Sequence, residues 1–359
     1  MTQESDQFSI VGIGRFSLII GSLIGSEYRA THMCTSYFEN QGKVRIGIIG
    51  CGRTGNWHLE AYRKNHEAQV VSYVDIDLEK TKLCSISLEE ATYTSHKDLI
   101  AQGNINGVSL CTVPSMHHNI VLDLLEANIN VLCEKPLALS AEQCEEMINM
   151  AKEKELVLLT ALKFRFFEEV IRAKELLNTQ KFGEILNFKI AFESQMNMEG
   201  SWYLNKDISG GGVLMDNGPH AFDLIRYLFG DIKTVSARLS DFEKDKEIEC
   251  TAQIDCKLTN GTTGNVYLSW LYSSPSETYL EIFAEYGCLA LDPMGINYKI
   301  NSSPDWKRIN NQITIKQAFE NQIDHFINSI ESIPSITFPE DGLIAQRTIE
   351  EAYNTAEYF

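Results

Sequence analysis

The chain has 359 residues, of which 44% are hydrophobic and 22% charged, and its formal net charge is −18. That length exceeds one ordinary core, so two domains are expected, and the hydrophobic content sets aside a disordered chain. The acidic balance argues against nucleic acid and anionic membrane surfaces as partners. Residues 1–43 differ in texture from the rest. The apolar run Phe16–Ile24 is too short to span a bilayer. Glu4 and Asp6 precede the first cation, Arg15, which does not suit a secretory signal. Ser9 to Gly14 imitates a nucleotide loop but lacks a third glycine at the right step. This segment reads as a poorly ordered extension, an upstream misread start with Met33 as the real one, or an added element, in each case outside the main fold.

From Val44 the pattern alternates strand and helix. The apolar run Val44–Ile49 leads into Gly50-Cys51-Gly52-Arg53-Thr54-Gly55, and Asn56–Tyr62 reads as a helix. A second strand, Val70–Val74, ends on Asp75. A glycine triplet between strand and helix, with an acid about 20 residues on, is the context a dinucleotide site requires. Gly50 permits the turn, Gly52 lets a pyrophosphate approach the backbone, and Gly55 lets helix and sheet pack closely. Arg53 and Thr54 open the helix, whose free N–H groups favour phosphate. Asp75 is expected to hold the adenosine ribose hydroxyls and to repel a 2′-phosphate, favouring NAD over NADP. Asp77 is the other candidate, but it lies past the strand and is expected to start the next helix.

Further strands are expected at Gly107–Val113, Asn130–Cys133 and Leu156–Leu162, with helices at Asn119–Ala127 and Ala141–Lys154. Ser140 is a plausible N-cap of the latter, with Gln143 at the capping-box position. This alternation predicts a doubly wound parallel sheet over residues 44–163. Beyond it come a helix at Phe166–Asn178 and alternating strands at Ile185–Phe192, Thr234–Leu239, Cys250–Leu258, Thr263–Trp270, Tyr279–Glu285 and Cys288–Leu291. A helix is expected around Met215–Leu228, and Ile315–Ile330 and Gly342–Tyr358 close the chain as helices. Residues 164–359 thus read as a second α/β domain with an open, mostly antiparallel sheet. The nine cysteines form no C-x-x-C pair and the eight histidines do not join them at ligand spacing. Reduced structural thiols, a cytoplasmic setting and no metal are expected.

Two further motifs bear chemistry. Glu134-Lys135-Pro136 follows the Asn130–Cys133 strand, on the edge where ligands of open α/β sheets gather. A lysine in a loop is otherwise usually a solvated charge. In Gly210-Gly211-Gly212-Val213-Leu214-Met215-Asp216-Asn217-Gly218-Pro219-His220, Asp216 and His220 are four apart and share a helical face. Read alone, they fit a general base with its orienting carboxylate and a satisfied buried pair equally well.

Together the three motifs resemble the glucose–fructose oxidoreductase, inositol dehydrogenase and MocA family (Gfo/Idh/MocA), from about Val44 to the chain end. The resemblance implies a Rossmann domain, then a domain whose open sheet often makes a homo-oligomer contact by its outer face. It implies NAD(P)-dependent hydride transfer at a secondary hydroxyl or ketone of a sugar or cyclitol, with a non-catalytic NAD- and sugar-binding regulator as the alternative. Lys135 matches the active-site lysine, and Asp216 and His220 match the catalytic pair. Thr112, Pro114 and His117, with Glu134, fall where the family lines the nicotinamide side. Arg165 and Trp202 are candidate substrate contacts, Trp202 equally a core residue. Lys163 departs from a position that is often asparagine, and it either adds a cation near the substrate or is solvated. Glu168 stands where proline is common.

Overall fold

The computed structural model describes residues 42–85, 87, 90–241, 248–331 and 337–358, so the expectations for residues 1–41 lie outside the described residues. Two sheets organise the chain. The first holds six strands in the order β3-β2-β1-β4-β5-β6. They are β1 (Val44–Ile49), β2 (Ala68–Val74), β3 (Ala91–Tyr93), β4 (Gly107–Leu110), β5 (Asn130–Cys133) and β6 (Leu158–Thr160). Every pairing is parallel. Helices α1 (Arg53–Tyr62), α2 (Leu78–Cys84), α3 (His96–Gln102), α4 (His117–Glu126) and α5 (Ala141–Glu153) alternate with them. Strand order reverses beside β1, which opens a crevice beyond the carboxyl ends of β1 and β4. Ile46, Ile48, Val108, Leu110 and Val131 are at most 1% exposed. Burial on both faces explains why these strands read as continuous apolar runs.

Local signals set several boundaries. Asp77 caps α2 by accepting from Glu79 N, as its place beyond the strand predicted. Ser140 caps α5 by accepting from Gln143 N, while the Gln143 side chain reaches Leu139 N, one residue earlier than a full capping box. The sequence reading missed β3 and α3, and it placed only the start of α2. A three-residue strand and seven-residue helices offer too few repeats for periodicity to register.

After α6 (Glu168–Asn178), the second sheet begins. Its nine strands run β14-β13-β12-β11-β7-β10-β9-β8-β15. They are β7 (Ile185–Glu193), β8 (Ile232–Asp241), β9 (Glu249–Leu258), β10 (Thr263–Ser269), β11 (Leu280–Ala284), β12 (Gly287–Asp292), β13 (Gly295–Ile300), β14 (Lys307–Asn310) and β15 (Glu357–Tyr358). Only β7–β10 and β8–β15 pair in parallel; the other pairs are antiparallel. The short α7 (Lys206–Ser209) precedes α8 (Val213–Phe229), which covers one face of this sheet. Leu214, Phe222, Leu224 and Ile225 of α8 share a core with Phe188, Ile254, Val266 and Leu268.

The last helices return to the first sheet. Phe319, Ile323, Phe326 and Ile327 of α9 (Ile315–Ile330) join Ile46, Ile48, Leu59 and Tyr62 in one core. Leu343 of α10 (Pro339–Asn354) packs into the core on α4 and α5. Residues 43–359 consequently form one compact unit. Among the described residues, no helix is long and apolar enough to cross a membrane.

Candidate active site

A cleft of about 800 Å³ runs from the β1–α1 turn to α8. Gly50 takes φ +93°, and a Cβ there would stand 2.5 Å from the Cys111 carbonyl oxygen, so only glycine fits. Above Gly52 the opposite holds: an added Cβ would meet nothing within 4 Å. The first turn of α1 has neither a side-chain cap nor an acidic residue. Its open N–H groups and the space over Gly52 suit a pyrophosphate. Gly50, Gly52, Arg53 and Thr54 all line the cleft, while Gly55 packs against the Gly50 carbonyl beneath it.

Asp75 also lines the cleft, with its carboxylate fixed by Cys51 N at 2.8 Å and Asp77 N at 2.9 Å. Lys80 and Thr94 to His96 share this lining. The sequence reading missed them: Lys80 lies within α2, of which only the start was anticipated, and Thr94 to His96 follow the unrecognised β3. Across the cleft, Thr112 and Pro114 leave β4 and Glu134 to Pro136 leave β5. The Thr112 hydroxyl is buried without a partner, an orphan donor in the wall where a bound nicotinamide half would lie.

His117 requires a correction. It was expected on the nicotinamide side, yet it is fully buried behind the wall. Its Nδ1 lies 2.9 Å from the Pro136 carbonyl and its Nε2 3.2 Å from that of Thr112. The ring clamps two cleft loops together rather than facing the cleft. Glu134 is anchored from below: Oε1 lies 3.0 Å from His58 Nε2, whose Nδ1 lies 3.0 Å from the Ser109 hydroxyl. Tyr62 extends the chain to Ser109 at 2.9 Å. Burial pushes the Glu134 carboxyl up, but His58 with the charges of Lys135 and Lys163 together outweigh it and hold the group below its ordinary value. Nothing in the sequence marked His58, because its partner lies 76 residues away.

Lys135 Nζ donates to Asp216 Oδ1 at 2.5 Å and to the Asp216 carbonyl at 2.8 Å. Pro219 lacks an N–H and interrupts the α8 ladder close by. Burial works against the Lys135 charge, but Asp216 together with Tyr203 and Glu134 outweighs it and keeps the ammonium above its ordinary value. The expected Asp216–His220 hydrogen bond is therefore absent: the charge-assisted bond to Lys135 claims the carboxylate. His220 is 5% exposed, its ring centroid lies 5.1 Å from that of Phe164, and its Nδ1 is buried without a partner. Burial, then the charges of Lys135 and Lys163, drives its pKa well below the ordinary histidine value, so the ring is neutral.

Glu249, also missed, holds the start of α8. Its carboxylate accepts from Gly212 N and Leu214 N at 2.9–3.1 Å, and from the Tyr353 hydroxyl at 2.8 Å. Gly212 lies so close that a Cβ would stand 1.8 Å from the Glu249 carbonyl. Trp202 and Tyr203 stack with centroids 3.9 Å apart, and both line the cleft. Arg165 is the second correction. It was a candidate substrate contact, but its guanidinium is buried against Asp223 and Asp341, with nearest distances of 2.5 and 2.9 Å. Two carboxylates hold it, and it does not line the cleft.

Two family models match the chain. Residues 44–162 match an oxidoreductase family with an NAD-binding Rossmann fold, and residues 170–290 match the GFO/IDH/MocA C-terminal domain. The chain belongs to the GFO/IDH/MocA family. It is 27% identical over 220 residues to the levoglucosan dehydrogenase of Pseudarthrobacter phenanthrenivorans, covering 57% of this chain and 56% of that enzyme. It is 27% identical over 189 residues to the myo-inositol 2-dehydrogenase of Thermotoga maritima, covering 52% and 55%. A levoglucosan dehydrogenase structure with NADH and levoglucosan superposes with a TM-score of 0.80 at 20% identity, covering 87% of this chain and 97% of that one. As a GFO/IDH/MocA member the protein is an NAD-binding oxidoreductase. The open space over Gly52, the uncapped α1 and the orphan Thr112 hydroxyl fit that cofactor.

Proposed function

We propose that the protein interconverts a secondary hydroxyl and a ketone on a sugar, cyclitol or sugar derivative. The observation that carries this reading is the Lys135–Asp216 ion pair in the cleft wall, with His220 buried one turn along α8 behind that wall and without a partner at Nδ1. Bound NAD supplies the hydride acceptor. His220 takes the hydroxyl proton as general base, its charged form being disfavoured before the reaction. Lys135 donates a hydrogen bond to the same oxygen and stabilises charge developing there. Asp216 positions the ammonium and keeps it protonated. The Trp202–Tyr203 stack offers flat faces to a sugar ring.

The test is to follow reduced-nicotinamide absorbance with NAD and a panel of polyols, sugars and sugar derivatives. NAD binding without turnover on every member would favour a non-catalytic sensor and sink the enzyme reading. We also propose a homo-oligomer formed through the outer face of the second sheet. There Phe283 is 43% exposed beside Lys189 and Glu281, an apolar spot among charges of both signs. A monomeric mass by light scattering would refute it. Free thiols at all eight described cysteines suit a cytoplasmic setting.

A further inference from the structure

Glu134 follows β5 and lines the cleft, and its carboxylate ends a buried hydrogen-bond chain. Ionised, it has no proton to give, so His58 Nε2 donates to it at 3.0 Å. His58 Nδ1 is then an acceptor for the Ser109 hydroxyl at 3.0 Å, and Ser109 Oγ accepts from the Tyr62 hydroxyl at 2.9 Å. Every donor points toward Glu134. This order uses one ring proton, so the imidazole does not cancel the carboxylate charge. A second ring proton would leave a hydroxyl proton of Ser109 or Tyr62, residues 0% and 1% exposed, without an acceptor among the described residues. Such chains polarise along their length, and this one stabilises negative charge at the cleft. It stops at the buried Tyr62, so it holds the charge in place rather than carrying a proton away.

The strand order places this charge. Asp75 follows β2, the glycine loop follows β1, Thr112 follows β4 and Glu134 follows β5, and these strands lie side by side in the order β2-β1-β4-β5. A dinucleotide across the crevice sets its pyrophosphate at the loop and one nucleoside on each side. An adenosine ribose at Asp75 leaves the nicotinamide half over β4 and β5. Among the charged side chains lining that end of the cleft, Lys135 and Asp216 neutralise each other, which leaves Glu134 as one net negative charge. Arg53 lines the cleft at the glycine loop, where the phosphates lie, and Lys163 sits against the Phe319 ring without lining the cleft. The nicotinamide ring is positively charged when oxidised and neutral when reduced.

We propose that Glu134 is the counter-charge of the oxidised nicotinamide, so that the cleft holds the pyridinium form of the cofactor more tightly than a neutral ring of the same shape. The preference needs only a bound dinucleotide. Its consequence, a resting protein loaded for oxidation of a hydroxyl, rests on the dehydrogenase reading of the same cleft. An acid that merely accepted a hydrogen bond from a ribose hydroxyl would treat both redox forms alike, because the ribose is the same in each. Three side chains are instead aligned behind a carboxylate only 14% exposed, where burial by itself disfavours the charge.

The experiment uses the full chain and three dinucleotides: NAD, NADH and benzamide adenine dinucleotide, whose neutral ring has the shape of the pyridinium. Dissociation constants are read by calorimetry near neutral pH at one ionic strength. The wild type should bind NAD about tenfold or more tighter than the benzamide analogue, the value of one nearby opposite charge. Glu134→Gln should bring that ratio close to one and weaken NAD relative to NADH by the same factor, whereas Glu134→Asp should keep most of it. Equal binding of NAD and the analogue by the wild type overturns the proposal, and that comparison needs no variant to fold. A ratio that survives Glu134→Gln, or a parallel weakening of all three ligands, also overturns it. Turnover with equal binding overturns it while sparing the dehydrogenase reading. A Glu134-dependent preference for the charged ring without turnover on any substrate upholds it while removing that reading.

Discussion

Two ionic clusters stand two turns apart along α8. Asp216 and Asp223 are seven residues apart and share a helical face. At the first, the Lys135 and Asp216 side chains are 16% and 12% exposed, and His220 one turn on lacks a partner at Nδ1. At the second, Arg165 and Asp223 are 6% and 1% exposed, and Asp341 closes the pair from α10. The same physics of buried charge yields opposite outcomes. A cluster that only holds the fold saturates its donors. The Lys135 cluster instead leaves an imidazole nitrogen without a partner, as the proposed chemistry requires.

That contrast breaks most sharply at Lys135. Lys135→Met should lower kcat by about a thousandfold or more while NADH affinity, read by fluorescence titration, stays near wild type. Ordinary turnover in that variant would remove the lysine from the chemistry.

Arg165→Met strands two buried carboxylates and should cost about 3–5 kcal/mol in urea unfolding. If stability holds and only substrate affinity falls, Arg165 is a ligand group after all and the two clusters are not different in kind.

The next effect concerns pH. Burial, then the charges of Lys135 and Lys163, disfavours the imidazolium of His220. The neutral base therefore persists as pH falls, and kcat/KM should stay flat through the ordinary histidine range and decline only at more acid pH. His220→Gln should slow turnover about a hundredfold and abolish that acid limb. An acid limb at the ordinary histidine value would contradict the burial.

The smallest effect lies at the far end of the cleft. Asp75→Ala should shift the NAD to NADP preference by about tenfold, since it removes one charged acceptor and its repulsion of a 2′-phosphate. Unchanged preference would move discrimination to Lys80 or its neighbours.

The first sheet was largely legible because its signals are local. Strand, glycine turn, helix and terminal acid follow one another within about thirty residues, and the spacing itself encodes the geometry. The same local logic assigned Asp77 and Ser140 to helix starts. It failed at β3 and α3, which are too short to repeat, and at His117, whose neighbours in sequence gave no hint of the two carbonyls it bridges.

The alternating α/β plan and the glycine loop with its acid were written in the chain, because both depend on residues close in sequence. Which carboxylate each cation holds was settled only by folding. Lys135 meets Asp216 across 81 positions and Arg165 meets Asp223 across 58. Helical spacing allowed Asp216 to reach His220, but a buried ammonium competes for a carboxylate more strongly than a neutral imidazole does. That competition appears only once β5, β6 and α8 have been brought together.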